Sequence, residues 1–213
     1  MTKANGAPIL WDVDTQVDFM LPSGKLYVPG AEETAPAMRR LVDAAREAGI
    51  VHVASADDHE LTDPEISVNP DFQNTYPPHC LRGTRGARKI DETDQVDPFP
   101  FSLLPYPPGL VPGLVAEHRE ILLLKKNFNV FTNPNTDPLL DALDPAEIVV
   151  FGVATDVCDD AAIRGFLQRG RRVLFVEDAA RGLDEARTRA CISAWRDQGV
   201  QFATTEEVVA SLG

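Results

Sequence analysis

The chain of 213 residues is 44% hydrophobic and 25% charged, values that suit a folded domain and argue against disorder. Its net charge of −13 works against nucleic-acid binding, which needs a basic face to displace counterions, and against anionic membranes. No apolar run approaches the roughly 20 residues that span a bilayer, and the first residues lack the apolar stretch of a secretory signal.

Ile9-Leu10-Trp11-Asp12-Val13 reads as a buried first strand that ends at Asp14. Residues 31–48 place Ala37, Met38, Leu41, Val42 and Ala45 at helical spacing, and Gly49 stops that helix. Residues 51–54 form a second strand. The stretch 57–92 has no period but holds Asp57, His59, Glu65, His79 and Cys80; 97–113 holds six prolines with Phe99, Phe101 and Tyr106 among them. Loops of that length inside a compact domain usually carry function. Residues 121–124, 148–151 and 173–176 are further strands, with helices at 136–143, 156–169 and 184–198. A short strand at 201–203 leads to a last helix at 205–212.

Apolar, β-branched runs that alternate with amphipathic helices predict one doubly wound α/β domain over 1–213: about six parallel strands with helices on both faces. Ligands of such sheets bind beyond the carboxyl ends of the strands. Asp14, Lys125 and Cys158 fall at three of those ends. A cysteine in the first turn of a helix faces unpaired N–H groups and a positive dipole end, which lower a thiol pKa and can hold an oxyanion. Lys125 would favour thiolate further, and Asp14 could take the proton. The three cysteines, Cys80, Cys158 and Cys191, are odd in number and widely spaced. Reduced thiols in the cytoplasm fit that pattern better than disulfides.

The local words carry a resemblance. Asp14-Thr15-Gln16-Val17-Asp18-Phe19 is similar to the Asp-x-Gln-x-Asp-Phe opening of the isochorismatase-like cysteine hydrolases, and Gly152-Val153-Ala154-Thr155-Asp156-Val157-Cys158 to their nucleophile segment. Lys125, rather than Lys126, matches their strand-end lysine. The resemblance implies an Asp14–Lys125–Cys158 triad. It also implies a cis peptide between Val153 and Ala154 that turns the amides of Ala154 and Cys158 toward the oxyanion. Within the family, Tyr76-Pro77-Pro78-His79-Cys80-Leu81-Arg82-Gly83-Thr84 resembles the nicotinamidase/pyrazinamidase branch, with Tyr76 in place of the usual tryptophan and Phe19 kept as a ring-packing partner. That branch implies Asp57, His59, Glu65 and His79 as ligands of one divalent zinc, iron or manganese ion, with Asp63 close to Glu65, and no organic cofactor. Cys80 reads as structural.

The implied activity is deamidation of nicotinamide to nicotinate and ammonia through a cysteine thioester. The alternatives are a metal-free relative acting on an N-carbamoyl, ureido or other small amide, and a non-catalytic ligand-binding or scaffold protein on the same fold. A small-molecule amide is the expected partner, in a homo-oligomer.

Overall fold

The computed structural model describes residues 6–107 and 109–212; residues 1–5, part of the stretch read for a leader, and Pro108 of the Pro-rich stretch lie outside them. Seven parallel strands form one sheet: β1 (Ile9–Val13), β2 (His52–Asp57), β3 (Phe99–Phe101), β4 (Glu120–Lys125), β5 (Ile148–Val153), β6 (Val173–Arg181) and β7 (Gln201–Ala203). Their order is β3-β4-β2-β1-β5-β6-β7. Between and after the strands run helices α1 (Val17–Met20), α2 (Ala35–Glu47), α3 (Val111–Glu117), α4 (Thr136–Leu143), α5 (Asp160–Gln168), α6 (Glu185–Asp197) and α7 (Thr205–Leu212). Among the described residues, no helix is long and apolar enough to cross a membrane.

Alternation along β1 builds the two faces. Ile9, Trp11 and Val13 enter one core with Phe166, Phe175 and Trp195, while Leu10 enters the other with Met38, Leu41, Phe151 and Val176. Burying apolar side chains on both faces is what holds a parallel sheet, at about 1.5–3 kcal/mol for each large one.

The sheet has one strand more than the sequence predicts. Phe99-Pro100-Phe101 pairs with β4 at the sheet's edge, Pro100 opposite Leu122. A proline has no N–H to give a second neighbour, and on an edge strand none is needed. Pro112 likewise sits in the first turn of α3, where a missing N–H costs nothing. The proline count hid both elements.

The central β1 lies between β2 and β5, and the connections run outward on opposite sides from there. This is the switch point at which such sheets open a crevice. At it, Gly152 stands with φ +137°, and a Cβ there would lie 2.1 Å from the Val13 carbonyl oxygen. Only glycine lets β5 approach β1 this closely.

Candidate active site and metal centre

Four strand ends deliver the site. Asp57 and Lys125 are register partners at the ends of β2 and β4. Asp14 follows β1 in a left-handed turn, φ +51°, and Cys158 lies beyond β5. All four are buried, with Lys125 and Asp14 fully enclosed. Lys125 Nζ stands 2.8 Å from Asp14 Oδ2 and also contacts Asp57 Oδ1. Ser55 Oγ donates to Asp14 Oδ1 at 2.7 Å. One buried cation thus serves two carboxylates, an arrangement in which removing any member leaves charge without compensation.

Their proton affinities diverge. Burial pushes the Asp14 carboxyl up, and Lys125 only partly opposes it. Asp57, equally buried, is held well below the usual range by Lys125 and by His59 and His79. Burial works against the Lys125 cation, yet Asp14 and Asp57 carry it well above its ordinary value.

The cysteine departs from expectation. Helix N-terminus and lysine predict a lowered thiol pKa, whereas burial, against the pull of Lys125, raises the Cys158 thiol well above its usual value. The reason is position. Cys158 lies in a π turn, Thr155–Asp159, ahead of α5 and only 8% exposed, so loss of water outweighs the nearby charge. The Val153–Ala154 peptide is cis, and the Ala154 carbonyl accepts from the N–H groups of Val157 (2.9 Å) and Asp159 (3.1 Å).

Asp57, His59, Glu65 and His79 converge as a second group, each offering one ligand atom within 4.8 Å of the others, and all are buried. His79 Nδ1 donates to the Pro77 carbonyl at 2.7 Å, which orients the ring so that Nε2 faces Asp57 Oδ2, 3.4 Å away. His59 Nε2 lies 3.6 Å from Asp57 Oδ2 and 3.9 Å from Glu65 Oε1, and neither ring nitrogen has a hydrogen-bond partner. Burial, with the Asp57 charge second, raises the Glu65 carboxyl. A buried nitrogen and oxygen set short of positive charge fits a divalent cation. Asp63 is spoken for elsewhere: it pairs with Lys126 at 2.8 Å and faces His59 Nδ1 at 3.4 Å. Phe19 and Tyr76 line the chamber beside Cys158, Asp57 and His79.

Residues that the motifs contain but that single-residue reasoning passed over hold this frame. The Gln16 amide acts as a strand in miniature. It donates to the Asp57 carbonyl (2.8 Å) and accepts from the Asp57 N–H (2.7 Å). Asp18 accepts from the Cys80 N–H at 2.7 Å, which fixes the loop after His79. Asp156 accepts from the Leu183 N–H at 2.7 Å and ties the π turn to the loop before α6.

Asp159, next to the thiol, is fully buried, and neither carboxylate oxygen has a hydrogen-bond partner. Burial, with Asp14 second, pushes its carboxyl well above the usual range. The folded chain therefore holds this proton more tightly than the unfolded chain. Its stabilising effect is full below the ordinary carboxylate pKa and is lost as pH rises toward the folded value. Asp159→Asn, which has no proton to hold, is expected to stabilise the protein by a margin that grows about 1.4 kcal/mol per pH unit between the ordinary carboxylate pKa and the raised folded one, so the gain is larger at pH 8 than at pH 4. Urea titrations at the two pH values check this; equal gains at both would show that ionisation is not the cause.

An isochorismatase domain matches residues 9–207. The nicotinamidase/pyrazinamidase of Mycobacterium tuberculosis is 28% identical over 195 residues, 89% of this chain and 95% of that protein. Solved structures that share the fold include the following two. The zinc-bound pyrazinamidase of Pyrococcus horikoshii has a TM-score of 0.72 and 21% identity, covering 92% of this chain and 98% of its own. The N-carbamoylsarcosine amidase of Thermoplasma acidophilum has a TM-score of 0.71 and 24% identity, covering 93% and 96%. The chain belongs to the isochorismatase-like hydrolase family.

Proposed function

We propose that this member of the isochorismatase-like family hydrolyses a small carboxamide through a thioester on Cys158, with nicotinamide as the leading substrate. The observation that carries the reading is the buried meeting of Asp14, Lys125 and Cys158 at three strand ends, with Asp14 and Cys158 both raised in proton affinity. A thiol that is protonated at rest needs a base, and a carboxyl with a raised pKa is suited to take a proton and return it.

In this mechanism Asp14 accepts the Cys158 proton as sulfur attacks the carboxamide carbon. The amides of Ala154 and Cys158 hold the oxyanion, and Lys125 keeps the neighbouring carboxylates in place as charge moves. The tetrahedral intermediate collapses, the C–N bond breaks, and Asp14 returns its proton to the leaving ammonia. Water then attacks the thioester with Asp14 again as base, releasing the carboxylic acid and the thiol. Asp57, His59, Glu65 and His79 would hold a divalent metal, which supplies a Lewis-acid position for a ring nitrogen of the substrate. Phe19 and Tyr76 pack against that ring and orient it.

Ammonia release from nicotinamide and pyrazinamide, compared with an N-carbamoyl amino acid, tests the substrate. Turnover of the N-carbamoyl compound alone would transfer the reading to the ureido branch, which the fold of the Thermoplasma acidophilum amidase also accommodates. No turnover of either class would favour a binding protein. The metal set has its own test, independent of turnover. Purified protein is expected to hold near-stoichiometric transition metal by elemental analysis, and His59→Ala or His79→Ala to weaken its binding by about tenfold or more, since second-shell losses alone cost 10–100-fold.

A further inference from the structure

Two cavities meet at the site. The chamber against Cys158 has a free volume of about 20 Å³, enough for about one water molecule, while the vestibule outside it has about 550 Å³. Tyr76, Phe128 and Val157 are the side chains that line both, so they form the neck between them. The chamber as it stands cannot hold an aromatic amide, and one entering from the vestibule needs one of these three side chains to give way.

Two of them are held. Val157 lies inside the π turn beside the nucleophile, with its N–H on the Ala154 carbonyl at 2.9 Å. Tyr76 is fixed by its backbone on both sides, donating to the Glu65 carbonyl at 2.7 Å and accepting from the Ser67 N–H at 2.8 Å. Its ring stands edge-on to both Phe72 and His79. Phe128 differs. Its N–H donates to Glu65 Oε2 at 3.0 Å, which anchors the backbone of the residue; its half-buried ring packs against the core on one side and borders the open vestibule on the other.

We infer that Phe128 is the gate and the size-determining residue of this site: its ring must swing into the vestibule to admit substrate, and its bulk decides how large an amide reaches Cys158. The amide part of this inference rests on the proposed function; the access part does not.

Two measurements separate them. The first is alkylation of Cys158, followed by mass spectrometry of its peptide, with iodoacetamide and with the bulkier N-phenylmaleimide. Phe128→Ala is expected to raise the rate ratio of the bulky to the small reagent about tenfold, and Phe128→Trp to lower it. The second is kcat/KM for nicotinamide and for 5-phenylnicotinamide, whose ratio is expected to move about tenfold toward the larger amide in Phe128→Ala, the scale of selectivity that pocket size sets. Phe128→Leu serves where alanine harms folding. A residue with a merely structural role would scale both reagents, and both amides, together. Ratios constant within about twofold across the variants would overturn the gate. If the wild type turns over neither amide, the proposed function fails, and the alkylation ratio still decides the gate.

Discussion

Replacing Cys158 with alanine is expected to lower turnover of the best amide by about 10⁴–10⁶-fold, the loss seen when a covalent nucleophile is removed. The substitution removes one sulfur from a site whose other parts remain, so the cis Val153–Ala154 peptide and the Asp14–Lys125 pair keep their places. Asp14→Asn is expected to cost nearly as much. With the thiol held well above its ordinary pKa by burial, almost no thiolate forms without a base to take the proton. Because the two act as a unit, the double variant is expected to be little worse than either single one. Ammonia release measured with circular dichroism as a fold control checks this. An additive double loss would mean that sulfur and carboxylate act in separate steps.

Lys125→Met is expected to destabilise the protein by about 3–5 kcal/mol, the cost of breaking a buried ion pair from one side. Methionine keeps most of the volume, so what is lost is charge. Asp57 then stands buried and ionised beside Asp14 with no cation between them. For a chain of this size that loss lowers Tm on the order of 10 °C. Adding Asp57→Asn to Lys125→Met should restore part of it, because the repulsive carboxylate is then gone. Thermal melts of both variants decide the point. A Tm within about 2 °C of the wild type for Lys125→Met would mean that Lys125 contributes no net stability to the cluster.

Much of this was legible in the chain. Apolar runs gave the positions of six of the seven strands. The words Asp14–Phe19, Tyr76–Thr84 and Gly152–Cys158 pointed to the residues that converge. Periodicity failed where a rule about prolines met its exception: Phe99-Pro100-Phe101 pairs because an edge strand needs hydrogen bonds on one side only. The motif words also held more than was read from them. Gln16, Asp18 and Asp156 bond backbone groups far along the chain, at Asp57, Cys80 and Leu183, and no spacing rule points to partners so distant.

The sequence by itself determined the parallel sheet, the side of it on which chemistry would lie, and the residue types brought there. These follow from local pattern, since a buried strand must be apolar and its end must face the crevice. Only the tertiary structure decided the charge states and the access. Asp14 and Asp57 are the same residue type at neighbouring strand ends, both buried, yet one is raised and the other lowered, because Asp57 shares Lys125 and also faces two histidines, while Asp14 has Lys125 alone and the Asp57 charge against it. The first turn of a helix and Lys125 favour a lowered Cys158 thiol pKa, and burial instead pushes it up against the charge of Lys125. Proton affinity depends on how much water and which charges surround a group in three dimensions.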